Sequence, residues 1–84
     1  MGKYEKLRAR VIAGASDADI SFDDLRWLLL RLGFEERCRG SHHVFRKPGV
    51  EEKLNLQQDG SHAKPYQVRQ ARAVIARYGL RSES

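Results

Sequence analysis

Apolar residues recur at helical spacing along two segments in the first third of the chain. The pattern over residues 4–13 predicts a short amphipathic helix that stops at Gly14. The pattern over residues 22–32 predicts a core helix, with Ser21 as its N-cap residue and Gly33 as its stop. Both stops are glycines, which favour the left-handed backbone that commonly ends a helix.

The spacing changes to short runs after the second helix. Residues 34–39, 42–47 and 53–57 predict three strands of an antiparallel meander. The middle run carries two adjacent histidines, His42 and His43, and each shares its strand face with one apolar residue. Periodicity therefore leaves open which histidine faces the core. The runs are separated by two turn signals, Gly40-Ser41 and Pro48-Gly49.

A last helix is predicted to begin at Pro65 and to stop at Gly79, followed by a tail over 80–84 that frays. The resulting order is a leading helix followed by α-β-β-β-α. This is an α+β fold in which two helices pack on one face of a three-stranded antiparallel sheet. We expect residues 1–20 to form an N-terminal helical extension with a linker, and residues 21–80 to form the main domain.

Size and composition narrow the class of protein. A chain of 84 residues and 9.7 kDa has room for one small core. No apolar run approaches the roughly 20 residues needed to span a bilayer, so we expect no membrane partner. The charged start predicts no secretory signal, and the single cysteine, Cys38, favours a reducing cytoplasm.

Positive charge is concentrated in the second part of the chain. Residues 1–36 carry 6 basic and 7 acidic groups, whereas residues 37–84 carry 10 basic and 4 acidic groups. Most of the basic groups are arginines, which bind phosphate through a planar pair of donors. The charge pattern therefore favours a nucleic-acid partner, and a solvated basic face that keeps the chain soluble is the alternative.

Candidate chemistry centres on the run Arg39-Gly40-Ser41-His42-His43, in which two imidazoles follow a tight turn. Metal-free RNA cleavage needs a group that removes the 2′-hydroxyl proton and a group that protonates the leaving 5′-oxygen. Histidine suits both tasks, and arginines suit the charge that develops on phosphorus. The alternative is a pair of packed or solvated strand histidines.

Other chemistry is less specified by the sequence. A zinc site assembled from Cys38, His42, His43 and His62 lacks the usual paired spacing at one end. Nucleophilic catalysis by Cys38 has no base or orienting group visible in the sequence. Lys64 lies at the predicted start of the last helix, where it either holds an RNA phosphate or lines a surface loop.

Several of these segments together resemble the HicA toxin family, over about residues 21–78. The resemblance is carried by Leu32-Gly33-Phe34, Arg39-Gly40-Ser41-His42-His43-Val44-Phe45, a strand with Asn55, and Ala63-Lys64-Pro65-Tyr66-Gln67-Val68. Members are small bacterial toxins with a fold like that of double-stranded-RNA-binding domains. They act as mRNA interferases and are neutralised by a HicB antitoxin. The resemblance therefore implies a cytoplasmic bacterial endoribonuclease with mRNA as substrate, a HicB-like protein as partner, and no metal or cofactor.

The resemblance also implies roles for single residues. His42 is similar to the catalytic histidine of the family, and Gly40 and Ser41 to the turn that places it. We expect Gly40 and Ser41 to contact RNA. His43 and Lys64 match family positions as well, and we expect both to contact RNA. The leading hypothesis adds three arginines as phosphate ligands, namely Arg37, Arg39 and Arg46.

Two hypotheses from other classes stay open at this point. One is a non-catalytic double-stranded-RNA-binding module that reads duplex shape and phosphates with the same basic residues. The other is a protein-interaction domain whose basic face meets an acidic partner. The N-terminal residues 1–20 are absent from the shortest members of the family, so the contacts of this segment are not implied by the resemblance.

Overall fold

The computed structural model describes residues 2–81, which form three helices and a three-stranded antiparallel sheet. This architecture confirms the predicted α+β fold class, with a leading helix before α-β-β-β-α. A 3-10 turn at Asp17–Asp19 lies between the first two helices. The elements are α1 (Lys3–Ala13), α2 (Phe22–Arg31), β1 (Glu35–Arg39), β2 (His42–Arg46), β3 (Leu54–Gln57) and α3 (Pro65–Tyr78).

The predicted helix boundaries are set by local groups. Ser21 caps α2, because its Oγ accepts a hydrogen bond from the backbone N–H of Asp24 at 3.0 Å. Gly14 ends α1 in the left-handed conformation, with a φ of 75°. A side chain at this position would also crowd Arg72, because an added Cβ atom would lie 3.0 Å from its guanidinium. Gly14 therefore serves both as the stop of α1 and as the place where Arg72 approaches the backbone.

The strands follow one another in the sheet in the order β1-β2-β3, so β2 is the central strand. His42 lies opposite Arg39 on one side and opposite Gln57 on the other. His43 lies opposite Cys38 and Leu56. Directly paired residues share a face of the sheet, so this register fixes which side chains lie together.

The core lies between the helices and one face of the sheet. Phe45 is fully buried on that face, and Phe22 and Leu25 of α2 are buried against the same cluster. α1 adds three buried residues, Tyr4, Leu7 and Val11. The leading helix is therefore packed into the same core as the rest of the chain. None of the helices within residues 2–81 combines the length and the apolar character needed to cross a bilayer.

Polar contacts fix the N-terminal segment to α3. The Arg72 guanidinium donates to the carbonyl of Val11 at 3.2 Å and to the carboxylate of Asp17 at 2.8 Å. The Nε of Arg8 donates to the carbonyl of Leu80 at 3.0 Å, and Leu80 itself is buried. The predicted fraying therefore does not include Leu80, and residues 82–84 of that tail lie outside the described residues.

Candidate functional site

The helices leave one face of the sheet uncovered, and we call it the open face. It carries the side chains that alternate with the buried ones along each strand. Val44 is its half-buried centre, surrounded by polar and charged residues. The register places these residues on the open face: Glu35, Arg37, Arg39, His42, Val44, Arg46, Asn55 and Gln57.

His42 begins the central strand and is exposed on the open face. It follows the two-residue turn Gly40-Ser41, in which Gly40 has a φ of 60°, a conformation that favours glycine. The carbonyl of Ser41 accepts a hydrogen bond from the backbone N–H of Gln58 at 2.9 Å. This bond ties the turn to the chain that follows β3, so His42 is carried by backbone that is held on both sides. Arg39, directly opposite His42, brings a cation to the same row of the sheet.

A cavity of about 410 Å³ continues the open face away from His42. Val44 forms part of its lining, with Arg37 on one neighbouring strand and Arg46 further along the same strand. Lys53 adds a third cation, and Glu35 is the one carboxylate in the lining. The cavity therefore presents mostly positive charge around a small apolar patch, which suits a phosphate next to a base or sugar.

His43 lies on the opposite face, where it is 8% exposed. Its ring contacts the edge of the Phe22 ring at a centroid distance of 5.0 Å. Its Nδ1 lies 2.7 Å from Oε2 of Glu36, which lies two residues before Cys38 on β1. The structure thus separates His43 from the other predicted RNA-binding residues. Burial among aromatic rings turns the His43 side chain away from the open face, and its contact with RNA stays a prediction.

Arg26 of α2 completes the polar group around His43. Its Nε donates to both oxygens of Glu36, at 2.9 and 2.7 Å. The hydrogen bond from Arg26 lowers the pKa of the Glu36 carboxyl below its usual range, and the hydrogen bond with His43 acts in the same direction. Glu36 is therefore a carboxylate at neutral pH and bridges α2 to the sheet. The alternation of β1 places Glu36 on the helix side, which is the signal in the sequence that could have identified it.

Lys64 lies outside the open face, at the end of the sheet that carries the Gly40-Ser41 turn. It is the N-cap residue of α3, and its Nζ lies 3.4 Å from Oδ2 of Asp59. Gln67, fully buried in the first turn of α3, donates from Nε2 to the carbonyl of Gln57 at 3.0 Å. Gln57 is the residue opposite His42, so this bond holds the start of α3 next to the row of His42.

The four residues weighed as a zinc site in the sequence do not come together. Cys38 and His43 meet on the helix side of the sheet, whereas His42 lies on the open face. His62 lies in the loop before α3, where its backbone pairs with that of Ser21 in an isolated antiparallel β-bridge. No group of three or more His, Cys, Asp or Glu that could hold a metal ion occurs within residues 2–81.

Comparisons of the chain with protein-family models, with curated proteins and with solved structures find no match. We therefore infer a function from the fold and from the residues of the open face. That face combines an exposed imidazole, three arginines and an uncovered sheet surface around Val44.

Proposed function

We propose that this chain is a HicA-like toxin, an mRNA interferase that cleaves RNA with His42 as general acid or base. The observation that carries the proposal is the position of His42, exposed on the central strand of an uncovered, arginine-rich sheet face. The adjacent His43 is buried and held by Glu36, so His42 is the member of the pair that RNA can reach.

The proposed reaction begins with attack of an RNA 2′-hydroxyl oxygen on the neighbouring phosphorus. The hydroxyl proton leaves to a base as the new O–P bond forms, and the bond to the 5′-oxygen breaks. The departing 5′-oxygen takes a proton from an acid, which leaves a cyclic phosphate on one product and a 5′-hydroxyl on the other. An imidazole side chain can take either part in this exchange, as the base or as the acid.

The arginines of the open face supply the electrostatic part of the mechanism. Arg39 lies directly opposite His42, so it is placed to hold the phosphate that is attacked. Arg37 and Arg46 border the cavity further along the strands and are placed to hold the next phosphate of the strand. Lys64, at the end of the sheet, is a further phosphate ligand in this proposal, after release from Asp59. No step of this mechanism requires a metal or a cofactor.

The expected substrate is single-stranded mRNA in a bacterial cytoplasm. An unpaired strand exposes its 2′-hydroxyls and base edges, so it can lie flat on a three-stranded sheet. A HicB-like antitoxin would neutralise the toxin by covering His42, with acidic or hydrogen-bonding groups against Arg37 and Arg39. RNA and the antitoxin would then compete for one surface of the toxin.

The deciding experiment incubates end-labelled mRNA with the purified chain in EDTA and separates the fragments on a gel. Wild-type protein and His62→Ala, a variant of an exposed histidine outside the open face, should both produce new ends. His42→Ala should produce none while keeping the circular dichroism spectrum of the wild type. Full activity of His42→Ala, or cleavage that stops in EDTA, would overturn the proposed mechanism.

A non-catalytic double-stranded-RNA-binding module is the second candidate. The concentration of arginines on an uncovered sheet face favours it, because phosphate binding needs these cations and no imidazole. This candidate requires tight, salt-sensitive binding to duplex RNA and intact RNA ends after long incubation. The same gel, run beside a duplex-binding assay, therefore separates it from the interferase.

A further inference from the structure

Three side chains form a connected row on the helix side of the sheet, away from His42. Cys38 Sγ lies 3.7 Å from Nε2 of His43, and Nδ1 of His43 lies 2.7 Å from Oε2 of Glu36. Cys38 and His43 are directly opposite each other on β1 and β2, so the sheet register itself sets their contact. The order is that of a nucleophile, a base and a group that orients the base.

The hydrogen bonds fix which nitrogen of His43 carries its proton. Glu36 is ionised and can only accept, so the ring donates to it from Nδ1, and in this tautomer Nε2 carries no proton. The lone pair of Nε2 then faces the sulfur of Cys38. The thiol has one other acceptor close by, the carbonyl of Gly40 at 3.4 Å. The imidazole is thus oriented to receive the thiol proton when the sulfur reacts.

The nucleophile is accessible although its base is not. Cys38 is exposed, whereas the side chains of His43 and Glu36 are 9% and 11% exposed. A cavity of about 260 Å³ lies against all three residues and extends to Phe22 and Gln58. A small molecule in this cavity would contact the sulfur directly, with the imidazole screened from bulk water behind it.

We propose that Cys38 is a nucleophilic thiol that exchanges with small disulfides, with His43 as its base and Glu36 as a positioning residue. The thiol proton passes to Nε2 of His43 while Sγ attacks one sulfur of the disulfide. The disulfide bond breaks, the departing sulfur takes the proton from the imidazolium, and one free thiol leaves. Cys38 is oxidised to a mixed disulfide, and the departing half of the disulfide is reduced.

Charged groups around the sulfur determine the choice of probe. Asp23 and Arg26 of α2 face the cavity, together with Glu36 of β1, while Gln58 after β3 is uncharged. Arg26 is paired with Glu36 and also interacts electrostatically with Asp23, so the cavity lining holds two carboxylates and one guanidinium. A neutral probe, bis(hydroxyethyl) disulfide, avoids attraction to the net positive charge of the chain. The proposed exchange does not depend on whether the chain cleaves RNA.

The first test compares folded and unfolded wild-type protein at pH 6.5, with the mixed disulfide followed by intact-mass spectrometry. The folded chain should react at least about tenfold faster than the same chain in urea, because general-base assistance exists only in the fold. Urea-unfolded protein reports the rate of an ordinary cysteine at the same pH and the same probe concentration. Equal or slower reaction of the folded protein would overturn the proposal.

Variants then assign the roles. His43→Gln should lower the rate at pH 6.5 to that of the unfolded chain, while His62→Gln, which changes an exposed histidine elsewhere, should leave the rate unchanged. Glu36→Gln should lower the rate less and should change its dependence on pH. Glu35→Gln removes the neighbouring carboxylate on the open face and is the matched control for Glu36→Gln. Unchanged rates and pH profiles in both His43→Gln and Glu36→Gln, with the variants folded by circular dichroism, would overturn the assignment of base and positioning residue.

Discussion

Replacing each of the two adjacent histidines by alanine tests the assignment of the sheet faces. His43 donates a charge-assisted hydrogen bond to Glu36 and packs against Phe22, and the side chains of His43 and Glu36 are both about nine-tenths buried. A hydrogen bond to a charged group contributes about 1.5–3 kcal/mol, and an aromatic contact adds about 0.5–1.5 kcal/mol. In His43→Ala, Glu36 keeps its hydrogen bonds to Arg26, so its carboxylate still has a charged partner. His43→Ala should therefore lower the free energy of unfolding by about 2–4 kcal/mol.

His42→Ala should change the same free energy by less than about 0.5 kcal/mol, because His42 is exposed on the open face. Both variants place alanine in β2, so the low strand propensity of alanine cancels when the two are compared. Urea unfolding at pH 7, followed by circular dichroism, gives the two free energies. Thermal unfolding should separate the variants by about 10–30 °C for a domain of this size. Equal losses in the two variants, or a larger loss for His42→Ala, would refute the face assignment.

Three further predictions concern Glu36, Arg72 and the arginines of the open face. The folded-state pKa of Glu36 is lowered, so its contribution to stability is complete above the unfolded-state value of about 4.3 and is lost as the pH falls through the lower folded value. Urea unfolding between about pH 5 and pH 3 should show a shallower loss of stability in Glu36→Gln, and an identical loss would contradict the role of this carboxylate. Arg72→Met removes the bonds to Asp17 and Val11, so it should lower the free energy of unfolding by about 1–3 kcal/mol and speed amide exchange in α1. Arg69→Met changes an exposed arginine and should lower this free energy by less than about 0.5 kcal/mol. Equal effects of these two changes would show that Arg72 does not hold the N-terminal segment. The next change is Arg37→Gln in a His42→Ala background, with binding of single-stranded RNA measured by fluorescence anisotropy. The slope of the logarithm of the binding constant against the logarithm of the salt concentration should become shallower by about 0.7. Arg69→Gln on α3 is the control and should leave this slope unchanged. If Arg37→Gln also leaves it unchanged, RNA does not bind at Arg37.

The element boundaries were predictable from the sequence because they depend on neighbours in the chain. Ser21 caps α2 through a backbone N–H three residues away, and Gly79 ends α3 with a φ of 59°. β1 is different, since its residues are almost all polar and exposed. This strand is defined by pairing with β2, and the Gly40-Ser41 turn was the local signal for that pairing.

The orientation of the histidine pair was not predictable, because each histidine shares its face with one apolar residue. Side-chain contacts with other elements decide which of the two histidines faces the core. Glu36 and Arg26, ten residues apart, form the ion pair that accepts His43, and Phe45 fills the core beside it. The register of the β1–β2 hairpin places the base and the orienting carboxylate beside Cys38. The position of His42 on the open face is thus a result of tertiary packing, whereas its position directly after a turn is determined by the local sequence.

The alternation of β2 has a consequence for changes in chain length. One residue inserted between Gly40 and His42 that pairs with Arg39, and so shifts β2 by one position along β1, would exchange the faces of the two histidines. Val44 and Phe45 would exchange with them, so the insertion would expose a phenylalanine and bury a valine. Single-residue insertions in this turn should therefore destabilise the fold far more than insertions in the loop between β2 and β3. That loop can take up added length without changing the register of β2 with β1.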